Sequence, residues 1–174
     1  MVEGGEGDGC RGRRGPWRER YRHAANLPRM TTIEIRPARD ERDRAAVFVI
    51  RGAVFVAEQQ VPVEEEWDAR DATADHLLAL DGGVPVGTVR LVDQGDGAGL
   101  LGRLAVLPKG RGTGTGAALV RAVEERARER GFARVELHAQ THALGFYARL
   151  GYTAHGEEFL DAGIPHLHMA RDLV

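Results

Sequence analysis

The chain has one cysteine, Cys10, among 174 residues. A single thiol excludes an intramolecular disulfide and any zinc cage built on cysteines. No apolar run reaches the roughly 18 residues a membrane-spanning helix needs, so no membrane partner is expected. The start, Met1-Val-Glu-Gly-Gly-Glu-Gly-Asp-Gly, has no apolar signal core, which makes a cytoplasmic location the default expectation. A charge excess of one sign is missing too: 24 Lys+Arg stand against 26 Asp+Glu, for a net −2. Nucleic-acid binding by bulk charge is therefore not expected. What the chain has in excess is glycine. Its 23 glycines are nearly double the usual share of about 7%.

Residues 1–29 differ from the rest. They hold six glycines and seven arginines against four acids, with little apolar periodicity. That composition does not bury enough surface to offset its ordering entropy, and a disordered basic extension is expected there. Met30 opens the first alternating run and is a plausible alternative start. The domain is then expected over 30–174.

The body reads as mixed strand and helix. Ile33 and Ile35 alternate with Glu34 and Arg36, and Pro37 closes a strand. Asp40 caps a helix expected to run to about Gln59, with Ala46, Val49, Ile50, Ala53 and Val54 on one face and Phe55 in the core. The acidic stretch 63–75 reads as a loop or short helix. Strands are expected over 76–80 and 84–92, joined by Asp81-Gly82-Gly83, a hairpin signal. Gly95, Gly97 and Gly99 mark a turn, and 100–107 is the next strand. A helix over 117–130 ends at Gly131, and a strand follows over 135–139. A short helix over 142–150 ends at Gly151, and the pair 152–159 and 165–171 closes the chain.

The most informative stretch is Leu104-Ala-Val-Leu-Pro-Lys-Gly-Arg111-Gly112-Thr113-Gly114-Thr115-Gly116-Ala117. A strand runs into a glycine-rich turn that opens a helix. The first turn of a helix presents unpaired N–H groups and a partial positive charge, and glycines let a phosphate approach them. Arg111 adds a fixed cation suited to phosphate. A diphosphate cradle is the reading. No lysine follows these glycines as a nucleoside-triphosphate P-loop requires. The dinucleotide pattern G-x-G-x-x-[GA] matches at Gly112, Gly114 and Ala117. However, Pro108–Arg111 separate the turn from its strand, and repeated βαβ units are missing.

The pattern Arg111-x-x-Gly114-x-Gly116 resembles the pyrophosphate loop of the GNAT N-acetyltransferase superfamily. Leu104-Ala105-Val106 is similar to that family's bulged strand. Ala143-x-x-x-Tyr147-x-x-x-Gly151-Tyr152 is similar to its short fourth helix. Gln140 stands where the family often has asparagine. Val56-Ala-Glu58-Gln59, Glu66-Trp67-Asp68, Asp71, His76, Gly87-Thr-Val-Arg90, Gly102-Arg103-Leu104-Ala105-Val106, His138-Ala-Gln140 and Gly163-Ile-Pro-His166 together resemble the ElaA-like branch. The resemblance covers about residues 31–172.

It implies an α/β (α+β) acyl-CoA N-acyltransferase fold, a mixed sheet of about six to seven strands flanked by helices. The implied activity is acetyl transfer from acetyl-CoA, the donor substrate, to an amine acceptor on a small molecule or peptide. A homodimer through the late strands is a further arrangement the resemblance implies. The cofactor site would comprise Leu104, Ala105, Val106, Arg111, Gly112, Thr113, Gly114, Thr115, Gly116, Gln140 and Tyr147. The backbone of 111–116 would take the pyrophosphate and that of Leu104–Val106 the pantetheine arm, with an N–H near Ala105 or Val106 on the thioester oxygen.

Direct attack leaves a thiolate that needs a proton, and Tyr147 is the candidate acid. His76 and His138 are candidate bases, with Glu66 and Asp68 as carboxylates that attract or deprotonate the amine. Trp67 either lines the amine side or anchors its loop. A metal site is not expected, because no carboxylate or cysteine completes a known spacing around the histidines. A non-catalytic acyl-CoA-binding module and a dinucleotide-dependent oxidoreductase are the alternatives.

Overall fold

The computed structural model describes residues 32–173. The expectations for residues 1–29, with Cys10 and Trp17, lie outside them. Alternation of apolar and polar residues gives β1, Ile33–Pro37. Asp40 then accepts the backbone N–H of Asp43 and starts α1, Glu41–Arg51. The helix does not run on as an α-helix to Gln59. It widens into a π-helical segment, Gly52–Glu58. Its buried face is also shifted from the expected one: Val47, Ile50 and Val54 are buried, whereas Val49 is 71% exposed. Two short turns follow, α2 at Val63–Glu66 and a 3-10 turn at Ala69–Ala72.

The strands β2 (Asp75–Asp81), β3 (Val84–Asp93) and β4 (Ala98–Val106) form an antiparallel meander. The long helix α3 (Thr115–Glu129) crosses to β5 (Arg134–Gln140), which pairs parallel with β4. The short helix α4 (Leu144–Arg149) leads to the hairpin β6 (Thr153–Asp161) and β7 (Ile164–Asp172). The result is one seven-stranded mixed sheet in the order β1-β2-β3-β4-β5-β7-β6.

Both faces of the central strands are covered, and alternation divides their side chains between two cores. On one face Leu78, Leu80 and Ala105 pack with Val47, Ile50 and Val54 of the first helix. On the other, Leu77, Ala79, Val89 and Leu101 pack with Leu119, Val120, Val123 and Ala127 of α3.

Gly95 and Gly97 make the expected turn, with φ of 80° and 79°. Gly99 belongs to β4 instead. A Cβ there would lie 2.7 Å from Leu91 Cδ1 and 2.8 Å from Phe132 Cδ2, so this glycine lets a core leucine and an aromatic ring close over the strand. Gly99→Ala is expected to destabilise the protein by about 1–3 kcal/mol through overpacking, read as a lower urea midpoint with an unchanged slope. An unchanged midpoint would show that Leu91 and Phe132 move aside freely.

Candidate active site

β4 and β5 are neighbours only in part. Their parallel pairing runs from Ala98↔Arg134 to Leu101↔Leu137 and then stops. The cause lies on the other side of β4. Thr88 of β3 pairs with Ala105 and Arg90 with Gly102, so Arg103 and Leu104 together oppose Val89. This is a β-bulge, which bends its strand. Arg103 takes φ 53°, a left-handed conformation uncommon for a residue with a side chain. From Gly102 to Val106 the edge of β4 that faces β5 has no strand partner.

The diverging strands open a cleft of about 390 Å³. Its walls come from the π-helical segment (Phe55, Gln59), the 61–70 region, β4 from Leu100 to Leu104, β5 (His138, Gln140), α4 (Phe146, Tyr147) and the β6–β7 turn. Gln140 Nε2 donates to Gln59 Oε1 at 3.1 Å, joining the two arms of the cleft.

The glycine loop lies at the C-terminal end of β4. Gly112 (φ 73°) and Gly114 (φ 86°) hold conformations that side chains disfavour. Gly114 is the N-cap of α3 and no side chain caps the helix, so the first-turn N–H groups are left for an external acceptor. Thr113 Oγ1 donates to the Gly110 carbonyl at 2.8 Å and fixes the turn. Gly116 is helical, and a Cβ there would meet Phe146 only at an ordinary 3.5 Å. Phe146 thus joins the first turn of α3 to the cleft wall. Arg111 differs from the expectation: its guanidinium binds Glu58 through two bonds of 2.8 and 2.7 Å, and its Nε donates to the Val106 carbonyl. It ties the π-helical arm to the end of β4.

Beneath the other end of the cleft lies a buried ionic network that the sequence reading did not anticipate. Arg51, with no exposed surface, binds Glu66 Oε1 at 2.5 Å, Asp71 Oδ1 at 2.6 Å and the Glu66 carbonyl. Arg90 binds Asp68 through both terminal nitrogens and Asp71 at 2.8 Å. Arg103 reaches back from the bulge to the Glu65 and Glu66 carbonyls and to Glu66 Oε2 at 3.1 Å. Three guanidinium groups thus meet three carboxylates, which offsets the cost of burying each. The arginines beside Asp71 hold its carboxyl at about 2 against the desolvation that would raise it.

The predicted residues separate on this frame. Leu104, Gln140, His138 and Tyr147 line the cleft. Ala105 and Val106 continue its open strand edge. Arg111, Gly112, Thr113, Gly114, Thr115 and Gly116 form the turn beyond it. His76 is not brought to the cleft. It is buried against Phe48, with Nε2 3.1 Å from the Asp71 carbonyl, and burial lowers its pKa. Glu66 and Asp68 reach the cleft with their oxygens already engaged by arginine.

His138 stands edge-on to Phe159 and His168. Burial first, then the neighbouring His168, lowers its pKa, so its neutral form prevails at neutral pH. Tyr147 is buried and its hydroxyl has no hydrogen-bond partner among the described residues, and desolvation raises its pKa. Trp67 is outside the cleft lining and packs 3.9 Å from the Gly52 Cβ position, anchoring its loop. Phe55 is a cleft wall as well as a core residue. No helix among the described residues is long and apolar enough to cross a membrane.

The acetyltransferase (GNAT) domain family matches residues 38–173. An uncharacterized N-acetyltransferase of Bacillus subtilis, YjcF, is 43% identical over 136 residues, covering 78% of this chain and 96% of that protein. Among solved structures, an acyl-CoA N-acyltransferase from Pseudomonas aeruginosa superposes with a TM-score of 0.73 at 29% identity, covering 80% of this chain and 99% of the other. ElaA of Escherichia coli superposes with a TM-score of 0.72 at 28% identity, over the same shares.

The network makes stability depend on pH in two stages. His76 is held neutral in the folded state and titrates near 6.5 when unfolded, so its contribution is complete above 6.5 and declines as pH falls below that. Asp71 contributes above 3.8 and loses its contribution as pH falls through about 2. Urea midpoints measured from pH 8 to 2 are expected to fall in both stages. His76→Leu is expected to reduce the upper stage and leave the lower one, the remainder of the upper stage coming from His138, whose pKa burial also lowers. An upper stage undiminished by His76→Leu would show that His76 does not contribute to it.

Proposed function

The chain belongs to the GNAT acetyltransferase family and is an acyltransferase, and from that premise we propose that it moves the acetyl group of acetyl-CoA to a primary amine by direct attack. The acceptor class is a small molecule or peptide. One observation carries the reading: the unpartnered edge of β4 at Gly102–Val106 leads directly to the uncapped start of α3. A ligand with an amide-bearing arm and a diphosphate matches both in order. The pantetheine amides pair with the strand edge, and the diphosphate takes the N–H groups of residues 112–117. Arg111 acts by holding the strand end and the π-helical arm, and reaches the diphosphate only by leaving Glu58.

The chemistry follows from the cleft residues. A backbone N–H at Ala105 or Val106 donates to the thioester oxygen and stabilises the tetrahedral oxyanion. The amine lone pair forms the N–C bond. The C–S bond then breaks with its electron pair on sulfur. Before the attack His138, neutral at working pH, accepts a proton from the acceptor's ammonium, and the proton the nitrogen loses as the tetrahedral intermediate collapses ends on the departing sulfur. Tyr147 offers its hydroxyl to the departing sulfur. Burial makes it a firm hydrogen-bond donor that stays protonated beside a thiolate whose free acid ionises near 8.5. His76, outside the cleft, has no part in these steps.

Thiol release from acetyl-CoA over a panel of amines, polyamines, aminoglycosides and peptide N-termini tests the reading. Tyr147→Phe and His138→Gln are each expected to lower kcat about 10²-fold or more, with acetyl-CoA affinity unchanged. Tight acetyl-CoA binding with no thiol release over a broad panel would make the protein a binding module. Unchanged turnover in Tyr147→Phe would remove the role of Tyr147 as hydrogen-bond donor to the departing sulfur.

A further inference from the structure

The cleft has an ionic tie at each end, and the two differ in kind. At one end Arg51 is buried with Glu66 and Asp71, out of reach of any solute. At the other end Arg111 and Glu58 keep 43% and 45% of their side-chain surface open. An exposed pair of this kind is weak, and its members exchange readily for a better partner. The tie nonetheless reaches far along the chain. Glu58 closes the π-helical segment, 53 residues before Arg111. The next residue, Gln59, accepts from the Gln140 amide across the cleft at 3.1 Å. Phe55 and Gln59 form one wall of the cleft, so whatever frees Glu58 loosens that wall.

Arg111 also stands where a donor would have to bind. Its Nε donates to the Val106 carbonyl at 2.9 Å, and Val106 lies on the stretch of β4 beyond its last pair with β5. Its two terminal nitrogens hold Glu58 at 2.8 and 2.7 Å. One side chain thus occupies a strand-edge acceptor that a pantetheine amide would use, while Glu58 occupies the cation that a diphosphate would use. A carboxylate brings one negative charge to the guanidinium fork. A diphosphate brings more charge and more acceptor oxygens to the same fork. It is also held by the uncapped N–H groups at the start of α3, which Glu58 does not reach.

We infer that Glu58 is a positioning residue that senses the donor: it holds Arg111 across the donor's place on β4, and the donor's diphosphate displaces it and so releases the π-helical arm that walls the cleft. This rests on the acyl-CoA reading of the cleft. Glu58 acts through Arg111 and touches neither donor nor acceptor. Linkage is reciprocal, so the tie weakens donor binding by the same factor by which the bound donor weakens the tie. The buried network at the other end keeps the bulge in place while this end exchanges partners.

Calorimetric titration of the full chain with acetyl-CoA tests this without an acceptor, in the wild type, Glu58→Gln, Arg111→Gln and the double variant. Glu58→Gln is expected to bind acetyl-CoA about two- to fivefold more tightly, because Arg111 no longer has to leave a carboxylate. In the Arg111→Gln background the same change is expected to have no effect. That comparison separates an exchange of partners from the mere removal of a negative charge near an anionic ligand. Backbone hydrogen exchange reads the arm itself. The N–H groups of Gln59 and Val61 close it on the Val54 and Phe55 carbonyls at 3.0 and 2.9 Å. Both are expected to exchange faster in the wild type once acetyl-CoA is bound, and to be already fast in Glu58→Gln without it. Unchanged or weaker binding by Glu58→Gln, an equal tightening in the Arg111→Gln background, or exchange at Gln59 and Val61 that saturating acetyl-CoA leaves unaltered overturns the inference. A wild-type protein that binds no acetyl-CoA contradicts the acyl-CoA reading itself, a result seen before any variant is compared.

Discussion

A strand edge inside a sheet carries backbone donors and acceptors that must be satisfied somewhere, and each one left orphaned and buried costs about 1–3 kcal/mol. In this protein that requirement falls on β4 from Gly102 to Val106, where pairing with β5 ends after Leu101 and Leu137. The extra residue of the bulge at Arg103 and Leu104 bends β4 away from its neighbour and opens the gap. The remaining features of the site follow from that gap. It has a strand-like edge to be matched, apolar walls on either side, and an uncapped helix start at its lower end. Among the described residues the Val106 carbonyl is satisfied by Arg111 Nε.

A gap between strands is held open by what braces its arms. Arg103, in a conformation that costs energy for a residue with a side chain, is fixed by its bonds to Glu65 and Glu66. Glu66 is in turn held by Arg51, and Arg90 ties Asp68 and Asp71 from the adjacent strand. The network thus joins the first helix, the 66–71 region, β3 and the bulge. At the other end of the cleft, Glu58–Arg111 and Gln59–Gln140 pin the π-helical arm to the loop and to β5. Removing one buried partner from the network leaves an uncompensated charge, typically a loss of 3–5 kcal/mol, and frees the bulge as well.

The strands, the long helix and the glycine loop were legible because each has a local cause. Alternation marks β1, Asp81-Gly82-Gly83 marks the hairpin, and Gly112 and Gly114 adopt the left-handed turns that glycine permits. The site was legible in part. Leu104, His138, Gln140 and Tyr147 line one cleft, whereas His76 faces the ionic network instead. Arg51 carried no signal, since a lone arginine on a helix is ordinarily a solvated one. Its burial arises from partners 15 and 20 residues away. The π-helical widening at Gly52–Glu58, which turns Phe55 and Gln59 to the cleft, likewise leaves no periodic trace in a short window. Gly99 and Gly102 look alike in sequence. Only their surroundings separate a glycine needed for packing from one with room for a side chain.

The account depends on one physical event, the pairing of a bound donor with the free edge of β4 and the start of α3. Backbone hydrogen exchange with and without acetyl-CoA measures it residue by residue. The account predicts slowed exchange within Leu104–Val106 and residues 112–117, with β1 and β6 unchanged. Exchange at those two segments that acetyl-CoA leaves unaltered, at concentrations that saturate binding, would contradict it.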